Sequence, residues 1–150
     1  MTMNPTNYER NVRWALRIAG LFNVAGTLGA TKAFTDDAYF QMAPTTYNRK
    51  SMLMAMLWGA AFWTCADTAA RSPRILAVFA AEKLYYSAAG THWLLTTSPR
   101  RRAELKTLSP QNFRMFHLNG PADGLWAVIF VALFTTGHRM RNETIATHHS

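Results

Sequence analysis

Along the chain, apolar residues gather in four charge-free runs, 18–31, 51–66, 84–99 and 124–137, and the charged residues collect between them. Each run is 14 to 16 residues long, short of the roughly 18 to 20 that a bilayer-crossing helix needs. Flanking residues extend them, because Arg13, Arg17, Lys32 and Arg139 have stems that lie along apolar surface while their charges reach water. The pattern predicts helices at 12–33, 50–70, 73–97 and 120–138. At 1.5 Å per residue these are about 27 to 37 Å long, which spans a hydrocarbon core of about 30 Å with some tilt. Period-2 alternation is missing and Ala, Leu, Met and Gly abound, so no strand competes. Ser72-Pro73, Ser98-Pro99, Ser109-Pro110 and Gly120-Pro121 read as helix starts. The expected architecture is one all-α domain over 1–150, a four-helix transmembrane bundle with a basic interfacial insertion between the third and fourth helices.

Composition sharpens this picture. Four Glu and four Lys beside five Trp, nine Phe and eight Met leave too few charges to coat a water-soluble bundle. The aromatic content excludes disorder, and a single cysteine, Cys65, excludes a disulfide scaffold. Arg10, Arg13 and Arg17 before the apolar 18–30 stretch imitate a secretory signal. Leu28, however, occupies the place where cleavage after Ala30 wants a small residue, so the segment is read as retained.

With four crossings, the termini and the 71–74 turn share one side, which carries seven cations: Arg10, Arg13, Arg17, Arg71, Arg74, Arg139 and Arg141. The other side carries eight, Lys32, Arg49, Lys50, Arg100, Arg101, Arg102, Lys106 and Arg114, so the positive-inside rule sets no orientation. Five of those eight lie in 98–117, which is expected to form one or two short interfacial helices. Leu105, Leu108, Phe113 and Phe116 would face the membrane, and Arg100, Arg101, Arg102, Lys106 and Arg114 would face lipid headgroups or an acidic protein partner. Nucleic acid is not an expected partner, because the basic charge is split between both faces and no recognition motif accompanies it.

Ionisable groups inside a span are costly enough that each needs a reason. Glu82 and Lys83 fall about nine residues into the third helix and diverge by about 100°, which prevents a good ion pair along one face. Glu82 shares its stripe with Tyr85, Tyr86, Ala89 and Trp93, and Lys83 points along Ser87 and Gly90. Asn23 lies at mid-depth in the first helix on the face of Gly20 and Thr27, where small residues allow close approach and an amide bonds across helices. Two readings follow. One is a polar pocket in which Glu82 carries a proton or contacts a ligand. The other is a structural clasp, with Glu82 bonded to a tyrosine, Asn23 or Thr27 and Lys83 reaching the interface. Asp67 is expected to pair with Arg71 and Arg17, and Asp123 to sit in the first turn of the fourth helix, level with His92. No metal-ligand spacing, nucleophile elbow, phosphate loop or dinucleotide fingerprint occurs, so neither cofactor nor metal is expected.

In order, the stretches LRIAGLFNVAGTLGA, TAARSPR, EKLYY and DGLWAVIFVALF resemble a group of short bacterial inner-membrane proteins with four helices and no assigned activity, over roughly 15–135. The chain is also similar to small DoxX-type four-helix proteins. The resemblance implies a four-helix membrane fold, while the longer 98–117 connection departs from it.

The leading expectation is a non-enzymatic accessory or scaffolding subunit of a larger membrane complex in a bacterial or organellar inner membrane. It would meet lipids and other subunits through apolar helix faces and the basic 98–117 segment. The alternative is a carrier or membrane enzyme that handles a small molecule or a proton, using Glu82, Lys83, Asn23, Tyr86, His92 and Asp123.

Overall fold

The computed structural model describes the backbone of residues 4–148 and the side chains of 4–143. Six helices and no strand occur among the described residues: α1 Pro5–Thr31, α2 Asp37–Met42, α3 Arg49–Arg71, α4 Arg74–Thr96, α5 Pro99–Leu108 and α6 Pro110–His148. Local chemistry sets most of the boundaries. Asn4 and Asn48 accept backbone N–H groups at the starts of α1 and α3, and Ser98 does so for α5, with Pro99 in the first turn. α1 stops where Lys32, Ala33 and Phe34 take left-handed φ angles of 47°, 53° and 69°, a run that costs non-glycine residues about 1–2 kcal/mol each. Three hydrogen bonds hold this bend in place. Thr31 donates its hydroxyl to the Thr27 carbonyl and accepts the Phe34 N–H, and Arg49 donates to the Phe34 carbonyl.

The four long helices α1, α3, α4 and α6 form the body. α1 packs along α3 and α4 along α6, while contact between these two pairs is sparser. Each pair closes on glycines. A side chain on Gly20 would meet the Gly59 backbone, and one on Gly90 would meet Gly120. Two apolar cores result. Phe62, Phe79 and Phe130 stack edge to face in the core near the chain ends, with ring centroids 4.6 to 6.4 Å apart. The second core joins Tyr39, Tyr47, Trp93, Leu105 and Phe116 at the opposite end.

Three expectations are corrected. First, Gly120-Pro121 does not start a helix, because α6 begins at Pro110 and runs through Pro121. Proline leaves the carbonyl four residues back, that of His117, without its helical bond. The close Gly90–Gly120 contact holds the helix together at this point, and a local start signal cannot register a tertiary contact. Second, 98–117 is one short helix followed by the first turns of α6. Leu105 and Phe116 are buried in the second core rather than turned to the membrane, since Phe116 packs on Tyr39, Tyr47 and Trp93 at 4.8 to 5.2 Å. Third, among the described residues one stretch, Pro110–Glu143, is long and apolar enough to cross a membrane, where four were expected. The other three apolar runs are 14 to 16 residues, so a full-length span must take in flanking charges. All four long helices nevertheless expose large apolar side chains, among them Leu21, Leu57, Leu84 and Val128, each more than half exposed.

Asp36 ties the second core to the bend. Its carboxylate caps α2 at the Ala38 N–H, accepts from Asn112 at 3.1 Å and pairs with Lys32 at 3.1 Å. The Asn112 hydrogen bond and then the Lys32 charge hold this carboxyl below its ordinary range. A lowered folded-state value means its stabilisation is complete above the ordinary carboxylate range and is lost as pH falls through the lowered value. Protection factors for hydrogen exchange at the Tyr39 and Ala38 amides, taken against the intrinsic rate at each pH, should therefore fall on acidification, and Asp36→Asn should remove most of that pH dependence.

Candidate functional site

Between the two cores lies a polar layer. Lys83 on α4 is 1% exposed and donates from Nζ to Asn23 Oδ1 on α1 at 2.6 Å and to Asp123 Oδ1 on α6 at 2.8 Å. Glu82 Oε2 is 3.7 Å from the same nitrogen, and the Phe62 ring centroid is 5.3 Å from it. The glycine crossings create this geometry. A side chain on Gly59 would come within 2.9 Å of the Asn23 Cβ, so the bare α3 backbone is what lets Asn23 point inward. Around the Gly90–Gly120 contact, Ser87 lies beside Gly124, which sets Asp123 within one turn of Lys83.

The layer borders a cavity of about 70 Å³ whose wall includes Asn23, Thr27, Glu82, Lys83, Tyr86, Asn119 and Asp123, closed by Tyr39 and Tyr47 from the second core. A water needs some 10–15 Å³ on such a measure, so the space suits a few waters or a small polar head. Polar atoms on this wall lack hydrogen-bond partners: both Glu82 carboxylate oxygens, Asn23 Nδ2 and the Tyr47 hydroxyl. Burial pushes the Tyr39 and Tyr47 phenols up, which keeps them as neutral O–H groups. Tyr39 donates to Met52 Sδ at 3.4 Å and Tyr86 to the Ser51 carbonyl at 3.4 Å.

Of the residues singled out by sequence, Asn23, Glu82, Lys83, Tyr86 and Asp123 meet here. His92 is exposed on α4 and takes no part, and Asp123 lies in the interior of α6 rather than in a first turn. Lys83 is turned inward, away from any interface. Asp67 pairs with Arg13 at 2.8 Å and Arg17 at 3.8 Å, reaching across to α1 instead of along its own helix to Arg71. Tyr39 and Tyr47 escaped the sequence reading, because nothing in their spacing marks them and only the fold of 32–48 over the bundle end brings them in. On the rim, Arg100 and Arg101 share Glu104 at 3.4 and 3.3 Å, with Lys106 and Arg114 exposed and Arg102 half-buried. No group of three or more metal-binding side chains occurs among the described residues. Compared with known proteins, the chain matches no family model, no curated protein and no solved structure.

Proposed function

We propose that the chain is an integral protein of a bacterial or organellar inner membrane, a four-helix bundle whose polar site around Glu82 handles a proton or a small hydrogen-bond-donating molecule. It would act as a carrier or as an enzyme on an apolar substrate. The observation that carries this reading is Glu82 itself. One buried cation, Lys83, faces two buried carboxylates, and its short bonds go to Asp123 and Asn23, which leaves Glu82 a longer 3.7 Å ion pair and no close hydrogen bond to either oxygen on a cavity wall. A structural clasp would satisfy that carboxylate, since an unpaired buried polar group costs about 1–3 kcal/mol and more when charged. An unmatched carboxylate accepts a proton or a donor from outside the protein. The large apolar side chains exposed on every long helix support lipid as the surrounding solvent.

The test is proton movement. In liposomes carrying an internal pH indicator, the wild-type chain should speed the collapse of an imposed pH gradient, and Glu82→Gln should lower that rate about tenfold while keeping the helical circular dichroism. Equal rates for the two proteins would overturn the reading.

A second reading, the accessory or scaffolding subunit, draws on the basic face of α5 and the start of α6, where Arg100 is 93% exposed at its side chain. Purification in mild detergent should then bring acidic partner subunits along, and charge reversal at Arg100, Arg101 and Lys106 should release them.

A further inference from the structure

A second space adjoins the polar site from outside. Between α3 and α4 runs an open groove of about 510 Å³, lined by Ser51, Met54, Trp58, Val78, Tyr85 and Glu82, within the roughly 300–1,000 Å³ range of small-molecule sites. Glu82 and Tyr86 stand on the walls of both the groove and the inner cavity. These two side chains are therefore the partition between the apolar outside and the polar interior. The groove follows the seam between the two glycine-locked helix pairs, where α3 and α4 make few contacts. Its rim is apolar, with Met54, Val78 and Tyr85 exposed.

We infer that this groove admits, sideways from the lipid, a single-chain amphiphile with a protonated amine head, which Glu82 receives at the inner wall. The inference rests on the functional reading of Glu82 and adds the ligand class and its route. Charge selects the head. Lys83 gives its short bonds to Asp123 and Asn23 and stands 3.7 Å from Glu82, so an arriving ammonium meets a carboxylate in excess of the local cation, whereas a carboxylate or phosphate head would face Glu82 and Asp123 together. An ammonium offers three donors, enough for both Glu82 oxygens. Depth selects the body. Glu82 lies eight residues beyond Arg74, about 12 Å along the helix axis at 1.5 Å per residue. That is below the layer in which two-chain phospholipids keep their headgroups, but within reach of an alkylamine that sinks along the groove.

The probe is ω-bromododecylamine added to the full chain in phosphatidylcholine nanodiscs, read by bromine quenching of tryptophan fluorescence. Quenching should saturate, and Trp58→Phe should remove the saturable part. Glu82→Gln should weaken binding about tenfold, the loss of a charge-assisted hydrogen bond. The equally long ω-bromododecanoate should show only unsaturable partitioning. Ala81 also lines the groove but not the inner cavity, so Ala81→Trp should weaken amine binding and leave Glu82-dependent proton movement intact. Saturable binding of the carboxylate, or amine quenching that is linear and identical in wild type and Glu82→Gln, overturns the inference. If proton movement still depends on Glu82 in that case, the groove assignment alone has failed; if it does not, the site assignment has failed with it.

Discussion

Replacing Lys83 with methionine lowers the stability of the bundle by about 3 kcal/mol or more, the range for removing one partner of a buried ion pair. The substitution keeps an unbranched stem, with a thioether sulfur in place of one methylene, and removes the ammonium. Asp123 then loses its 2.8 Å partner with its side chain 12% exposed, Asn23 Oδ1 loses the donor at 2.6 Å, and Glu82 loses the nearest positive charge. Two acceptors on two helices and a neighbouring carboxylate depend on one nitrogen, so the loss is concentrated rather than spread. Pairing the change with Asp123→Leu should recover most of the stability, because the double variant buries no orphaned aspartate and restores the single-carboxylate excess of the wild type. Denaturant unfolding in mixed micelles measures both. A Lys83→Met protein within about 1 kcal/mol of wild type would place the Lys83–Asp123 pair at the low value of exposed ion pairs and remove it as the anchor of the site.

The sequence made α1, α3 and α4 legible to within a few residues at most ends, except that α1 starts seven residues before the expected 12. Their limits are written locally, in Asn48 as a cap, in Ser72-Pro73 at the turn and in the charged residues that bracket each apolar run. What escaped was non-local. Gly120-Pro121 has the local form of a break, yet α6 continues because Gly90 receives it, and no residue near 120 announces its partner 30 positions earlier. That single error displaced Asp123 from a helix interior to a helix end and suggested His92 as its neighbour, when the crossing sets Ser87 beside Gly124 and leaves His92 outside. The cost of placing ionisable groups in an apolar helix pointed to Glu82 and Lys83, and the amide among small residues pointed to Asn23, without any knowledge of which helices touch. Neither gave access to Tyr39 and Tyr47, which reach the site only through the left-handed bend at 32–34 and the short α2 that follows it.

Fold and site are therefore coupled at the glycine crossings, and the strongest expected loss after Lys83 lies there. Gly59→Ala should cost about 2 kcal/mol, in the range for overpacking a closed contact, and Gly59→Leu should prevent the α1–α3 pair from forming. The added Cβ would lie 2.8 Å from the Gly20 carbonyl oxygen and 2.9 Å from both the Asn23 Cβ and the Val24 Cγ2. Backbone cannot step aside as a flexible side chain does, so α1 must move outward. The higher helix propensity of alanine returns at most about 1 kcal/mol. Moving α1 also carries Asn23 away from Lys83, so Gly59→Ala should slow Glu82-dependent proton movement even in the fraction that remains folded. Gly29→Ala is the control in the same bundle, because a Cβ there meets nothing within 4 Å and the propensity gain stands unopposed. If Gly59→Ala unfolds no more readily than Gly29→Ala, α1 and α3 are not in tight backbone contact, and the glycine crossing is not what holds Asn23 against Lys83.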